Sequence, residues 1–225
     1  MPRLARVVVP DIPHHVTQRG NRRQRTFFRP SDYELYKRLI ARWCSRRQVA
    51  IWAYCLMPNH VHLVLTPRHP DGLARALGEA HRRYTLIVND REGWRGYLWQ
   101  GRFASYPMGS SHLYNAVRYV LLNPVRAGLV ECAAEWPHSS LRAHLAGRSD
   151  GIVDTAPLED RKLDWQGLLR DESDEEELEG IRLHQRTGRP LGSDGFVRRL
   201  EEELGRQLLP RRPGRKARHP GRDRE

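Results

Sequence analysis

Long apolar runs, paired cysteines and internal repeats are all missing from this 225-residue sequence, and each absence excludes a class of protein. Its three cysteines, Cys44, Cys55 and Cys132, have no paired spacing, which argues against a disulfide framework and against a zinc ribbon. No apolar run approaches the roughly 20 residues needed to cross a bilayer, and the first residues lack the apolar segment of a signal peptide. We therefore expect a cytoplasmic protein with no membrane partner.

Acidic residues are in the minority: 27 Asp and Glu stand against 39 Lys and Arg, for a formal net charge of +12. Arginine supplies most of the excess, and its planar guanidinium suits phosphate better than the point charge of lysine does. This balance favours a polyanionic partner such as nucleic acid. A basic composition is necessary for that partner but does not identify it. Binding to DNA would associate a cytoplasmic protein with the nucleoid.

Alternating and helical periodicities predict the element order strand, helix, strand, strand, helix, strand, helix. Ser31 and Glu34 have the spacing of a capping box, which predicts where the first helix begins. Pro58 and Asn59 separate two strand-like runs and predict a hairpin turn. The predicted strands start at His14, Val49, His60 and Leu98, and the later predicted helices start at Asp71 and at Ser110, the last running toward Asn123.

This order predicts an α+β fold of the ferredoxin-like type, with an antiparallel sheet and helices on one face, extended by one further helix. We expect the domain to occupy residues 1–147. Residues 148–209 should form a linker and a helical extension, in which Phe196 and Leu200 belong to an amphipathic helix. Residues 210–225 are basic and rich in proline and glycine, which predicts a disordered tail.

Two histidines, His60 and His62, lie one residue apart at the start of a predicted strand. Side chains alternate along a strand, so both imidazoles should point to the same face. Neutral imidazoles bind divalent metals and would leave coordination positions for water and a phosphate oxygen. A half-buried pair that hydrogen-bonds to the backbone is the structural alternative, and a metal site would need a third ligand.

The helix predicted from Ser110 carries a polar stripe that includes Tyr119 and Asn123. The amide oxygen of Asn123 could complete a metal site, with the Tyr119 phenol one turn away. A phenol with a pKa of about 10 is a poor nucleophile at neutral pH, so Tyr119 would depend on a metal or a base. Boundary packing is the alternative use of this residue, and Tyr106 and Tyr114 are neighbouring candidates.

Several stretches together resemble the REP-associated tyrosine transposases, relatives of the IS200-type transposases that use a single catalytic tyrosine. They are NHVH preceded by AYCLMP, the later RYVLLNPVRAGLV and LWQGRF, and the early HHVTQRGNRRQ. These blocks extend from His14 to Val130, and TGRPLGSDGFVRRLEEELGR, from Thr187, resembles a C-terminal segment common in these proteins. The resemblance implies an HUH endonuclease core, named after its histidine–hydrophobe–histidine motif.

The resemblance also implies the roles of the site residues. His60 and His62 would bind Mg²⁺ or Mn²⁺, Tyr119 would be the nucleophile, and Asn123 would be a further ligand. Tyr119 would attack a phosphodiester in single-stranded DNA, forming a 5′-phosphotyrosine and releasing a 3′-hydroxyl, and rejoining would reverse the step. The implied substrate is repetitive palindromic DNA that folds into REP-type hairpins. The chain would act as a monomer or a homodimer, since IS200-type relatives are dimers and this family carries a long extension.

Basic and aromatic residues in two predicted loops are candidates for holding DNA. Trp94, Tyr97 and Trp99 offer faces on which unpaired bases can stack, although core packing is the commoner use of tryptophan. Arginine side chains in these loops can contact phosphates. The expected DNA-binding residues are Arg22, Arg23, Gln100, Arg102 and Arg126.

Two other functions remain open from the sequence. A nucleotide hydrolase of the histidine-triad kind is disfavoured, because a third alternating histidine would fall at position 64, which is Val64. A catalytically silent, sequence-specific nucleic-acid-binding protein derived from a transposase is the second alternative. Retention of His60, His62, Tyr119 and Asn123 together favours the active enzyme.

Overall fold

The computed structural model describes residues 5–170 and 175–209, and its centre is a four-stranded antiparallel sheet. The strand order is β2-β3-β1-β4. With one helix between β1 and β2 and another between β3 and β4, this is the predicted ferredoxin-like α+β arrangement, which is confirmed. The strands are β1 His14–Arg19, β2 Val49–Met57, β3 His60–Pro67 and β4 Ala104–Pro107.

The helices divide between the sheet and a C-terminal extension. Short 3₁₀ turns cover Asn21–Arg23 and Ala133–Glu135. In chain order the α-helices are α1 Pro30–Arg46, α2 Gly72–Glu92, α3 Ser110–Leu121, α4 Asn123–Arg126, α5 Leu141–Leu145, α6 Ala156–Glu159, α7 Trp165–Leu169, α8 Glu175–Thr187 and α9 Asp194–Leu204.

Both faces of the sheet are covered, and each has its own apolar core. Helices α1 and α2 lie together on one face, where Leu63 of β3 packs with Tyr36 of α1 and Tyr84 of α2. The further helix α3 lies on the opposite face, where its Val117 packs with Val64 of β3. Burial on both faces explains why β2 and β3 are almost continuously apolar and do not alternate between apolar and polar residues.

The predicted strand from Leu98 is wrong in its first half. Regular pairing begins only at Ala104, and before it a single bridge joins Trp99 to Gly20. The reason is a break at Gly101, which has a φ of +59°, a left-handed conformation that a strand does not contain. The segment before β4 therefore crosses the end of β1 as a loop.

The C-terminal extension folds back onto the rest of the chain. Phe196 and Leu200 of α9 are buried against Val7 and Val9 of the N-terminal segment, so α9 is the predicted amphipathic helix. The predicted tail, residues 210–225, lies outside the described residues. Within the part of the chain that the structure describes, each helix is too short or too polar to span a membrane.

The start of α1 is held by Asp32 and not by the predicted capping box. Ser31 lies inside the helix, and the Asp32 carboxylate accepts hydrogen bonds from the backbone N–H groups of Phe28 and Arg29 at 2.8 and 3.1 Å. Asp32 is buried and also pairs with Arg91 of α2. Burial raises the pKa of this carboxyl, but these hydrogen bonds outweigh burial, and the net pKa is lowered.

We expect Asp32→Asn to lower the free energy of unfolding by about 1–3 kcal/mol, because hydrogen bonds to a charged group are lost. Urea denaturation measures the loss, and Glu79→Gln on the surface of α2 is the control, with a much smaller expected change because its ion pairs are exposed to solvent. Since the folded-state pKa is lowered, the contribution of Asp32 is present above the unfolded-state pKa of about 4 and disappears as the pH falls through the folded-state value. Equal effects of the two substitutions would contradict this assignment.

Candidate active site

The histidine pair of β3 lies on the face of the sheet that α3 covers. His62 is buried and His60 is half-buried, and their ring centroids are 4.9 Å apart. The ring of Tyr119, on the facing side of α3, lies 5.5 Å from the ring of His62. Strand alternation and helical spacing therefore bring together the three residues that the sequence predicts as the centre of the site.

Both histidines of the pair are neutral at physiological pH. Burial and the charge of Arg19 lower the pKa of His60 to about 4. Burial and the nearby positive groups lower the pKa of His62 well below its usual value. The Nδ1 atom of His60 is 2.6 Å from Oδ1 of Asn59, and the Nδ1 atom of His62 is 3.0 Å from Nε2 of His15. With both Nδ1 atoms engaged, Nε2 is the nitrogen that each ring can offer to a ligand.

This donor set fits a divalent metal with open coordination positions. Two neutral imidazoles with free Nε2 atoms are suitable ligands, and their Nδ1 hydrogen bonds are of the kind that orients metal-binding histidines. Within residues 5–170 and 175–209, no group of three or more His, Cys, Asp and Glu side chains is arranged to hold a metal ion. Further ligands would have to be an amide, water or the substrate.

Asn123 lies at the start of α4, directly after α3. Its amide nitrogen donates a hydrogen bond to the backbone carbonyl of Tyr119 at 2.8 Å. This contact fixes the amide at the end of α3 and leaves its oxygen as the atom that can serve as a ligand. The predicted metal-binding role of Asn123 stays a prediction.

Tyr119 is covered by the C-terminal extension. Its exposed fraction is 8%, and its ring packs with Leu178 and Ile181 of α8. On another side, the guanidinium of Arg126 lies 4.5 Å from the ring centroid and also donates to the Tyr119 carbonyl. The sequence does not predict that a helix covers Tyr119. The first turn of α8 is a run of glutamates, which indicates only that the composition changes there.

The two other tyrosines near the site have different environments. Tyr106 is fully buried, its hydroxyl is 2.7 Å from Nδ1 of His15, and burial raises its pKa well above the usual value. The Tyr114 hydroxyl points away to the backbone carbonyl of Asp164, at 3.4 Å. Tyr119 is therefore the tyrosine whose ring faces the histidine pair.

His15 of β1 is a residue of the site that the sequence analysis missed. It is fully buried, burial lowers its pKa to about 3, and the centroid of its ring lies 5.2 Å from that of His62. The signal for it was the histidine-containing strand HHVTQR. Its proximity to His62 depends on the antiparallel register, which pairs His15 with Val64 and Thr17 with His62.

Three of the predicted DNA-binding arginines lie close to the histidine pair. Arg22 and Arg23 are exposed in the 3₁₀ turn after β1. The side chain of Asn59, in the hairpin turn next to His60, donates a hydrogen bond to the Arg23 carbonyl at 3.0 Å. This bond holds the 3₁₀ turn of Arg22 and Arg23 beside the histidine pair. Arg126 lies over the ring of Tyr119, which faces His62.

Gln100 and Arg102 lie on the loop that crosses the end of β1. The backbone N–H of Gln100 donates to the carbonyl of Arg19 at 2.8 Å, which holds this loop against the sheet. Trp99, one residue earlier, is only 6% exposed and packs in the core under α2. The prediction that Trp99 offers a stacking face is therefore wrong, because core packing takes its ring.

An open groove of about 820 Å³ lies between α2 and this loop. Trp94 and Tyr97 line it and are 45% and 87% exposed, so both rings are available for stacking. Arg95 and Arg102 also line the groove, together with one acidic residue, Asp90. Exposed aromatic rings beside arginines are the combination that binds unpaired bases and their phosphates.

A histidine–hydrophobe–histidine strand in a ferredoxin-like sheet, with one tyrosine of the facing helix directed at the histidines, is the arrangement of the HUH class that uses a single tyrosine. The chain belongs to the IS200-like transposase family: the family description, Transposase IS200 like, matches residues 8–122, slightly more than half of the sequence. The matched region contains the four strands, His60, His62 and Tyr119.

Individual relatives agree with this family. The REP-associated tyrosine transposase of Escherichia coli K12 is 24% identical over 127 residues, which are 56% of this chain and 74% of that protein. A relative from Haemophilus influenzae, whose name also refers to REP-associated tyrosine transposases, is 29% identical over 108 residues, 43% of this chain. The match spans 61% of the Haemophilus protein, less than two thirds of its length.

The fold agrees with a solved structure of a REP-associated tyrosine transposase bound to a REP hairpin. The two share a TM-score of 0.57 and 22% sequence identity, and the match covers 69% of this chain and 93% of that chain. At this identity the likeness shows the fold.

Besides the apolar contacts of Leu178 and Ile181, one carboxylate of α8 connects this helix to α3. Glu177 accepts hydrogen bonds from Asn115 at 2.8 Å and from Arg118 at 2.6 Å, both on α3. Glu177→Ala should weaken the attachment of α8 by about 1 kcal/mol, or about fivefold in the exchange rate of its amide hydrogens. Hydrogen-exchange mass spectrometry measures this rate. Glu179→Ala, which removes an exposed pair with Arg182 on the same helix, is the control and should change little.

Proposed function

We propose that this protein is a metal-dependent single-strand DNA endonuclease and strand transferase that cleaves and rejoins hairpin-forming repetitive palindromic DNA. The observation that carries the proposal is the approach of the Tyr119 ring to within 5.5 Å of the ring of neutral, buried His62. Membership of the IS200-like transposase family supports a DNA-cleaving enzyme. The names of the relatives support REP-type hairpins as the substrate class.

The proposed metal site uses the Nε2 atoms of His60 and His62, with the amide oxygen of Asn123 as a further ligand. Mg²⁺ or Mn²⁺ is the proposed ion, and when bound it supplies Lewis-acid polarisation of a phosphodiester oxygen. The two imidazoles contribute as fixed, neutral donors, since the low pKa of each keeps protons from competing for the site.

Tyr119 is the proposed nucleophile. Its phenolic oxygen forms a bond to phosphorus, its proton passes to solvent, and the bond from phosphorus to the 3′ oxygen breaks. The 3′ oxygen takes up a proton and leaves as a hydroxyl, so that the product is a 5′-phosphotyrosine. Rejoining is the reverse attack by a 3′-hydroxyl. Because each step exchanges one phosphoester for another, strand transfer needs no external energy source.

The proposed DNA contacts lie at the end of the sheet where β1 finishes and β3 begins. Arg22, Arg23 and Arg126 hold phosphates around the histidine pair, and Gln100 and Arg102 continue the contact along the loop toward the groove. In the groove, Trp94 and Tyr97 stack on unpaired bases, each worth about 1–3 kcal/mol. We propose action in the cytoplasm in association with the nucleoid, as a monomer or a homodimer.

A catalytically silent DNA-binding protein is the second candidate. The burial of Tyr119 under α8 favours it, because a nucleophile must reach phosphorus and this one is 8% exposed. The two candidates differ in one outcome, the formation of a covalent protein–DNA bond.

Tyr119→Phe should bind hairpin DNA as the wild type does and lose cleavage by on the order of 10³-fold or more, because only the attacking oxygen is removed. Labelled single-stranded hairpin DNA incubated with Mn²⁺ and separated on a denaturing gel reports the covalent product. Tyr114→Phe is the control and should remain active. A covalent band that persists in Tyr119→Phe would refute the assignment, and a wild type that binds without ever forming the band would establish the silent alternative.

His60→Ala and His62→Ala should each abolish Mn²⁺-dependent cleavage. In the absence of metal each variant should remain folded, since a neutral imidazole at the edge of the core is replaced by a small apolar side chain. Thermal unfolding and cleavage are measured in parallel, with His69→Ala, an exposed histidine after β3, as the control. Full activity of the wild type in the presence of a chelator would exclude the metal site.

A further inference from the structure

We propose that Tyr106 and His15 are positioning residues that hold His62 with its proton on Nδ1 and its Nε2 lone pair directed into the site. This inference rests on the proposed function, in which His62 is a metal ligand. It assigns a task to two buried residues that do not themselves reach the reacting atoms.

The three residues form a continuous hydrogen-bonded chain across three strands. Nδ1 of His62 on β3 is 3.0 Å from Nε2 of His15 on β1, and Nδ1 of His15 is 2.7 Å from the Tyr106 hydroxyl on β4. The ring centroids of His15 and His62 are 5.2 Å apart and the ring planes are inclined by only 23°, which suits an in-plane hydrogen bond between two ring nitrogens. The exposed fractions are 0% for His15, 1% for Tyr106 and 3% for His62. Direct pairing of His15 with Tyr106 in the sheet fixes the second link through the backbone.

The chain has two proton arrangements, and only one is compatible with a metal. A neutral imidazole has one N–H donor and one lone-pair acceptor. If His62 donates from Nδ1 to His15, then His15 donates from its own Nδ1 to the Tyr106 oxygen, and Nε2 of His62 keeps its lone pair. In the reverse direction Tyr106 donates to His15 and His15 donates to His62, and the remaining proton lies on Nε2 of His62, where it blocks a ligand.

The charges around the site favour the first arrangement. Arg126 and Arg19 both act electrostatically on His62, and Arg126 also lies over the ring of Tyr119, which faces His62 across the site. A lone pair directed toward these cations is stabilised, whereas an N–H group would present a further positive end to them. Tyr106 is essential to this arrangement because its hydroxyl oxygen accepts the N–H of His15, which would otherwise be a buried donor without a partner.

Phenylalanine at position 106 keeps the ring but removes the acceptor. We expect Tyr106→Phe to move the proton of His62 from Nδ1 toward Nε2 and to weaken Mn²⁺ binding about 10- to 100-fold, the usual effect of losing such a partner. The matched control is Tyr36→Phe. Tyr36 also forms a buried hydrogen bond with a histidine, His81, at 2.9 Å, but on the opposite face of the sheet. This control removes the same group from the same kind of pair and should leave Mn²⁺ binding unchanged.

Two substitutions of His15 test the acceptor role directly. His15→Gln offers an amide oxygen near the position of Nε2, whereas His15→Leu offers no acceptor for the His62 N–H. Mn²⁺ affinity should fall in the order wild type, His15→Gln, His15→Leu, even where thermal unfolding shows both variants equally folded. A role in packing alone predicts the reverse order for the two variants, since leucine suits a buried position better than glutamine does.

The experiment uses the full chain without DNA. Calorimetry measures Mn²⁺ affinity, and long-range ¹H–¹⁵N spectra of the metal-free protein identify which nitrogen of His62 carries the proton. A His62 proton on Nε2 in the wild type, or a Tyr106→Phe variant that matches Tyr36→Phe in both measurements, would overturn the proposal. If the wild type binds no Mn²⁺ but its His62 proton is on Nδ1 and moves in Tyr106→Phe, the hydrogen-bonded chain stands and the metal-dependent function fails. Normal Mn²⁺ binding in Tyr106→Phe would refute the positioning role and leave the proposed function intact.

Discussion

The antiparallel register between β1 and β3 is the constraint on which the site depends. His60 and His62 face α3, while Val61 and Leu63, which alternate with them, lie in the core under α1 and α2. A slip of one residue would bury both imidazoles in that apolar core and expose the valine and leucine to the site. The same register brings His15 beside His62. The burial of Val61 and Leu63 on one face of the sheet therefore fixes the positions of the histidines on the other face.

The sequence was a good guide wherever a single element determined the outcome. Alternation in HVHLVLT placed both histidines on one face, and helical spacing placed Tyr119 toward them. Features that depend on two elements were not predictable in this way. The diagonal contact of His15 with His62 requires the strand register, and the packing of α8 over Tyr119 requires the path of the chain over the roughly 60 residues that separate them. The prediction for the start of α1 was wrong because two sets of residues could cap this helix, Asp32 and the Ser31–Glu34 pair. Asp32 is the one used, and its buried contact with Arg91 of α2 is a tertiary interaction that the sequence does not show.

The positive charge of the chain is not spread evenly over its surface. Several arginines form ion pairs within their own helix, among them Arg75 with Asp71, Arg83 with Glu79 and Arg182 with Glu179. Such pairs lower the positive potential of these helix surfaces. Arg22 and Arg23 lie instead in the turn after β1, where both are exposed next to the histidine pair. The location of these arginines, more than the total charge of +12, gives this end of the sheet its positive character.

The packing of α9 against the N-terminal segment has a practical consequence for work on shortened proteins. Residues 8–122 match the family, yet Val7 and Val9 are covered by Phe196, Val197 and Leu200, which belong to the far end of the chain. A fragment that stops after the sheet and α3 would expose this apolar surface to water, together with the ring of Tyr119. Exposed contiguous apolar surface promotes self-association. Low solubility of such a fragment would therefore reflect the loss of its partner helices and would not indicate that the catalytic core is intrinsically unstable.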